Sequence, residues 1–239
     1  IGINTQIKPL DDLRVRQAIQ RAVDIDAILE AAYFGAVPRA TGLVPTGLPG
    51  HRDKSPYPAR DVDAARKLLA DAGLNDGFKT ELAVLNAADN LSIAQVFQAN
   101  LAEIGIDVTI TPYESGTFWN LGLESEGDAW KTLQMYLHRW GNGPDPSWTT
   151  KWYTCEQVGI WNWERWCNQE YSDLDKKAVE ETDDEKRAAL YLRMADLLDE
   201  SSAYVLLNYG MQALAYRDDI IPGVNPDGRR LLLPKFRRA

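Results

Sequence analysis

The 239-residue chain is poor in the residues from which most metal, redox and nucleophilic sites are built. It has two histidines, His51 and His138, far apart in sequence, and two cysteines, Cys155 and Cys167, without C-x-x-C spacing. A metal centre or redox dithiol therefore lacks its ligands, and no G-x-S-x-G nucleophile motif occurs. No metal and no cofactor is expected. Long apolar runs are missing too: charges interrupt every apolar stretch before the roughly 18 residues that a membrane-crossing helix needs. Positive charge is scarce, with 26 Lys and Arg against 35 Asp and Glu, a net charge of −9 that opposes contact with phosphate backbones. Nucleic acid is excluded as an expected partner, and the basic tail KFRRA reads as a solvated end. The opening residues IGINTQIKPLDD carry no basic, apolar and small-residue sequence of a secretory leader, and read as a strand that continues something earlier. The expectation is a fragment.

What is abundant is tryptophan, concentrated in one place. Six of the 8 tryptophans (Trp140, Trp148, Trp152, Trp161, Trp163, Trp166) fall between positions 140 and 167, beside a Gly/Pro/Asp loop and both cysteines. Trp combines a large rigid face with one N–H donor, so the segment suits either a satellite core or an aromatic wall for a small ligand. Cys155 and Cys167 can close one disulfide, worth roughly 3 kcal/mol in the chain-entropy view, and a disulfide implies an oxidising compartment. The alternative is two inert buried thiols.

Hydrophobic residues make up 45% of the chain, ample for a buried core. Leu13, Ala18, Ile19, Ala22 and Val23 form one helical stripe after a cap at Asp11 or Asp12, and a second helix runs through Ile28, Leu29 and Ala32 to Gly35. Positions 38–58, dense in Gly and Pro, read as loop. ARDVDAARKLLADAGL reads as a helix capped near Asp61. KTELAVLN, NLSIAQVFQANLAEIG and IDVTITPYE then read as strand, helix and strand, a βαβ unit that predicts two parallel neighbours. SGTFWNLGLESEG suggests a short helix, and WKTLQMYLHRW a strand ending at Trp140, where ligands gather in open α/β sheets. Two helices follow Cys167, the second capped by Asp183 or Asp184. AYVLLNYGMQALAYRD suggests two short strands about Gly210.

Four segments in order carry a resemblance: INTQIKPLDDLRVRQAIQRAVDIDAI, RDVDAARKLLADAGL, QANLAEIGIDVTI and DDEKRAALYLRMADLLDESSAYVLLNY. Together they resemble the C-terminal lobe of the family 5 extracellular solute-binding proteins, the peptide, nickel and opine receptors of ABC importers. The resemblance implies an α/β lobe of the periplasmic-binding-protein type II kind, a mixed sheet flanked by helices forming the C-terminal half of a two-lobed receptor. It implies that residues 1–239 are one ligand-binding lobe, with 203–239 returning toward an N-terminal lobe outside the chain. It also implies a periplasmic, non-enzymatic protein, a monomer at full length. Such a receptor closes over a small solute and docks on an ABC permease.

In the family, the loop after the W-x-x-x-x-D-P strand faces the cleft, and peptide-binding members place there an acid that pairs with the ligand's amine. Here that loop runs from Trp140 to Trp148; the matching position is Asn142, with Asp145 three residues on, a departure that points away from ordinary peptides. Asp145 also fits a helix cap before Pro146. Trp140, Trp161 and Trp163 are the expected cleft-lining aromatics, each weighed against packed core. Alternation in IWNWERW places Arg165 beside Trp161 and Trp163, where it could grip a carboxylate or stay solvated. His138 reads as a satisfied core residue. The alternative function is a periplasmic carbohydrate-active enzyme or glycan-binding module, with tryptophans stacking on sugars and Asp145 and Glu164 as acid and base.

Overall fold

Alternation along Glu81–Leu85 puts Leu82 and Val84 on one side of a strand and Ala83 and Leu85 on the other, and both sides are covered by packed side chains. The structure is a computed structural model and describes residues 1–57, 59–141, 143–211, 213–225 and 231–239. Strand β1 (Gly2–Ile3) is followed by helices α1 (Leu13–Ala22), α2 (Ile25–Tyr33) and α3 (Val62–Asp71). Next come β2 (Phe78–Leu85), α4 (Ala88–Ala102) and β3 (Ile106–Tyr113). The chain then passes through α5 (Ser115–Phe118), β4 (Met135–Leu137), α6 (Ser147–Thr150), α7 (Gln169–Glu180), α8 (Asp184–Ser201), β5 (Ile220–Ile221) and β6 (Arg237–Arg238).

The expected βαβ unit is present. β2 and β3 pair in parallel from Phe78 opposite Ile106 to Leu85 opposite Tyr113, and α4 makes the crossover. Gly77 and Gly105, both in the left-handed region, let the two strands start side by side; a Cβ on Gly77 would run into the carbonyl of Gly105. β4 joins β2 in parallel and β1 joins β4 antiparallel, giving a mixed sheet in the order β1-β4-β2-β3. One face is buried under α1 to α4, where Ile19, Ile28, Leu69, Ile93 and Phe97 meet Leu82, Val84 and Ile106. The other carries Ala83, Tyr136, Phe118 and Trp163. A third cluster lies between α7 and α8, around Tyr171, Tyr191 and Met194.

Local capping chemistry sets the helix starts. Asp12, Asp24, Asp61 and Asp183 each accept a backbone N–H in the first turn of their helix. Three expectations need correction. The strand expected to end at Trp140 pairs only over Met135–Leu137, because Ala129–Lys131 forms a 3₁₀ turn before it and the chain leaves the sheet at His138. The two strands expected about Gly210 are not formed among the described residues, which leave out residue 212. Residues 203–209 run extended, but their partners are one or two residues long: Ala203 and Val205 bond to Ile3 and Ile1, and Leu207 and Tyr209 to Ala40 and Pro38. Leu13, placed on the apolar stripe, sits at the first helical position and is 40% exposed.

Candidate ligand-binding site

Because β2, β3 and β4 run parallel, Leu85, Tyr113 and Leu137 end at the same edge of the sheet, and the tryptophan-rich segment begins there. Trp140 stacks on Trp152 with ring centroids 5.6 Å apart and meets Trp161 edge-on at 5.9 Å. Trp161 continues the array to Trp119 and Trp163. Trp140, Trp152 and Trp161 are each half-buried, so together they present a partly open aromatic wall.

Trp163 does not belong to the open face. It is 3% exposed, donates to Ile160 O at 2.9 Å and lies so tightly on Gly122 that a Cβ there would collide with its ring. It buttresses the wall from behind. Trp152, which alternation in IWNWERW could not include, takes its place, with Lys151 Nζ 4.3 Å from its ring centroid. The signal for it was the WTTKW spacing across α6 and the turn that follows.

Two devices hold the segment in shape. The Cys155–Cys167 disulfide is formed, with Cα atoms 4.6 Å apart, and closes the loop that carries Trp161 and Trp163. Inside that loop the fully buried Asn162 donates to Thr154 O at 3.1 Å and Trp166 O at 2.7 Å.

The charged candidates are engaged elsewhere. Arg165, at φ 56°, pairs with Glu124 at 2.7 Å, bonds Gln6 Oε1 at 2.8 Å and stacks 4.3 Å over Trp130. Its Nε and Nη2 are engaged inside the protein and Nη1 is buried without a partner, so the side chain serves as a structural clamp. Asp145 accepts Ser147 N–H at 2.9 Å at the start of α6 and forms a two-pronged pair with Arg187, at 2.6 and 2.8 Å. Partial burial works against its charge, but the bonds from Arg187 and Ser147 outweigh this and hold the carboxyl below its usual range. Asn142 lies outside the described residues.

Glu164 is completely buried, with Oε2 accepting from the Tyr136 hydroxyl at 2.6 Å and the Tyr204 hydroxyl at 2.5 Å. Burial pushes its carboxyl up to about 7 against the opposing pull of the two hydroxyls. Enclosed in this way it cannot reach a glycosidic bond, and Asp145 is tied to Arg187, so the acid and base pair of the carbohydrate alternative is not assembled.

A cavity of about 270 Å³ opens between the wall and the 204–211 segment, lined among others by His138, Arg139, Trp140, Tyr153, Leu207 and Met211. Both His138 ring nitrogens and Trp140 Nε1 are buried there without a protein partner, a condition that costs roughly 1–3 kcal/mol for each group. The satisfied core role expected for His138 is therefore not met. Burial lowers its imidazole to about 3, so it is neutral at ordinary pH. Arg139 is paired with Asp89 and with the Tyr33 hydroxyl. A larger cavity of about 570 Å³ lies away from the tryptophans, between α1, α3 and the end of α8, and mixes charges of both signs. Among the described residues no group of three His, Cys, Asp or Glu side chains could hold a metal ion.

A mixed α/β lobe with an aromatic wall and a small cavity at the carboxyl edge of its sheet has the form that ligand-binding α/β domains take. The family model for bacterial extracellular solute-binding proteins, family 5 Middle, matches residues 1–159, and the chain belongs to that family. Among its relatives, the dipeptide-binding protein of Escherichia coli (strain K12) is 29% identical over 212 residues, 87% of this chain and 39% of that protein. The probable di/tripeptide-binding protein 5 of Pseudomonas aeruginosa (strain UCBPP-PA14) is 32% identical over 239 residues, 96% of this chain and 44% of that one. In three dimensions the dipeptide-binding protein of a Pseudoalteromonas species, solved in complex with Met-Leu, superposes with a TM-score of 0.84 at 27% identity, covering all of this chain and 47% of its own. The chain thus spans less than half the length of each of these proteins.

Proposed function

We propose that this chain is the C-terminal lobe of a substrate-binding protein that serves an ABC importer in the periplasm, a monomer at full length that captures a small solute between two lobes and passes it to a membrane permease. The observation that carries this reading is the half-open wall of Trp140, Trp152 and Trp161 at the carboxyl edge of the sheet, with a cavity beside it. A lobe that works alone has no reason to leave three indoles part-exposed; a lobe that closes on a partner lobe does. Residues 203–239 fit the same reading. Met211, Tyr216 and Leu233 are 62, 60 and 73% exposed on this segment, as suits a tail that returns to pack on the other lobe. The disulfide suits an oxidising compartment. Peptide-like, opine-like and other polar solutes are the candidate classes, and the role is capture without chemistry. The test is a thermal-shift screen of the full two-lobed protein against peptides, opines, polyamines and oligosaccharides. A ligand that raises the melting point and survives as intact solute supports the receptor; turnover of a glycoside, lost on removal of Asp145 or Glu164, overturns it.

A further inference from the structure

The cavity beside Trp140 is poor in charge and rich in unused neutral polar groups. Among its described lining residues the only charged side chain is Arg139, and Asp89 already matches it. Of the three carboxylates considered nearby, Asp89 is committed to Arg139 and Asp145 to Arg187, while Glu164, at zero exposure and outside the cavity lining, takes two tyrosine hydroxyls on Oε2 and keeps Oε1 buried without a partner. The Tyr209 hydroxyl, also at the cavity, is engaged with Thr41, Gly42 and Val44. Among the buried side-chain polar atoms of the described lining residues, three have no protein partner: the indole N–H of Trp140 and the two ring nitrogens of His138. An ammonium group buried here would lose its water and gain no carboxylate partner, a cost that a neutral group does not incur. A secondary amide is complementary instead. Its carbonyl accepts from the indole N–H, and its N–H donates to the free nitrogen of a neutral imidazole.

We propose that His138 and Trp140 are specificity-determining residues that select a solute whose buried end is an uncharged hydrogen-bonding group, such as an amide, and that reject a free cationic amine. The inference rests on the receptor reading above. The Trp140 and His138 rings pack nearly perpendicular, centroid to centroid 4.4 Å at 82°, so a solute that reaches the imidazole does so by moving the indole. Apolar neighbours Leu137, Tyr153 and Met211 then receive the flanking part of the solute.

The test is calorimetric titration of the full two-lobed protein with the dipeptide Phe-Leu and with N-acetyl-Phe-Leu, which differ in the charge and the amide at one end. The acetylated form is expected to bind at least about tenfold more tightly and to change the tryptophan emission on binding. His138→Met is expected to erase that preference, while His138→Gln, which keeps a donor and an acceptor, retains most of it. Tighter binding of the free amine, or a preference unchanged in His138→Met, overturns the proposal and leaves the receptor standing. No binding by either probe, or by any member of the wider solute panel, overturns the receptor reading and this inference with it. The ratio measured on the unaltered protein decides the question even where a variant does not fold.

Discussion

At the scale of the residue, two buried groups titrate in opposite senses. Glu164 is lifted from 4.5 to about 7 by burial, so the folded chain holds a proton that the unfolded chain has released. Its contribution to stability is full below 4.5 and is lost as pH rises through about 7. His138 is lowered from 6.5 to about 3 by burial, so the unfolded chain binds a proton that the folded chain refuses, and stability falls as pH drops below 6.5. Between 4.5 and 6.5 the two slopes oppose each other. Glu164→Gln removes the first slope, and its melting temperature should fall faster toward acid than that of the parent; His138→Gln removes the second and should do the reverse. Melting curves across that window check this, and parallel profiles for the three proteins contradict it. The fit of Trp163 against Gly122 gives a second prediction at this scale. Gly122→Ala forces a methyl into the ring and should destabilise the fold by about 1–3 kcal/mol, read by denaturant unfolding, whereas a change within error means the indole is free to move.

At the scale of the element, the disulfide organises the loop that carries the wall. Replacing Cys155 and Cys167 together by Ser should lower stability by roughly 3 kcal/mol, for a bridge that spans 12 positions, with α7 and α8 still helical by circular dichroism. Loss of helix along with it would mean that the bridge holds more than its own loop. Elements of this kind were the readable part of the sequence. Asp12, Asp24, Asp61 and Asp183 cap helices through backbone groups two or three residues away, and the β2-α4-β3 unit is announced by its own periodicity. The cysteine pair was readable because no other ligand chemistry competed for it. The assignment of individual side chains was not readable in the same way. Arg165 is engaged by Gln6 and Glu124, 159 and 41 positions away, and Glu164 by Tyr136 and Tyr204, 28 and 40 positions away. Such partners meet only after the sheet has formed. Trp163 and Trp161 are two residues apart, yet one is enclosed and the other half-open, because the segment turns through the Val158 and Asn162 bridge instead of running as a strand.

At the scale of the whole molecule, a sheet edge, an aromatic wall and a small cavity lie together, and in the proposed receptor they form one side of the site. A cavity of about 270 Å³ contacts one end of a solute and leaves the rest of it in water. The chain alone should therefore bind the receptor's solute at least about a hundredfold more weakly than the two-lobed protein, since half of the contacts are missing. Equal affinity would show that one lobe suffices. The central claim is that the solute rests on the tryptophan wall of this lobe, and the most direct measurement is a crystal structure of the two-lobed protein with its solute bound. The account predicts solute atoms within about 4 Å of Trp140 and of Trp152 or Trp161, at the carboxyl edge of the sheet. A solute seated in the larger cavity between α1, α3 and α8, or bound with no contact to these indoles, would contradict it.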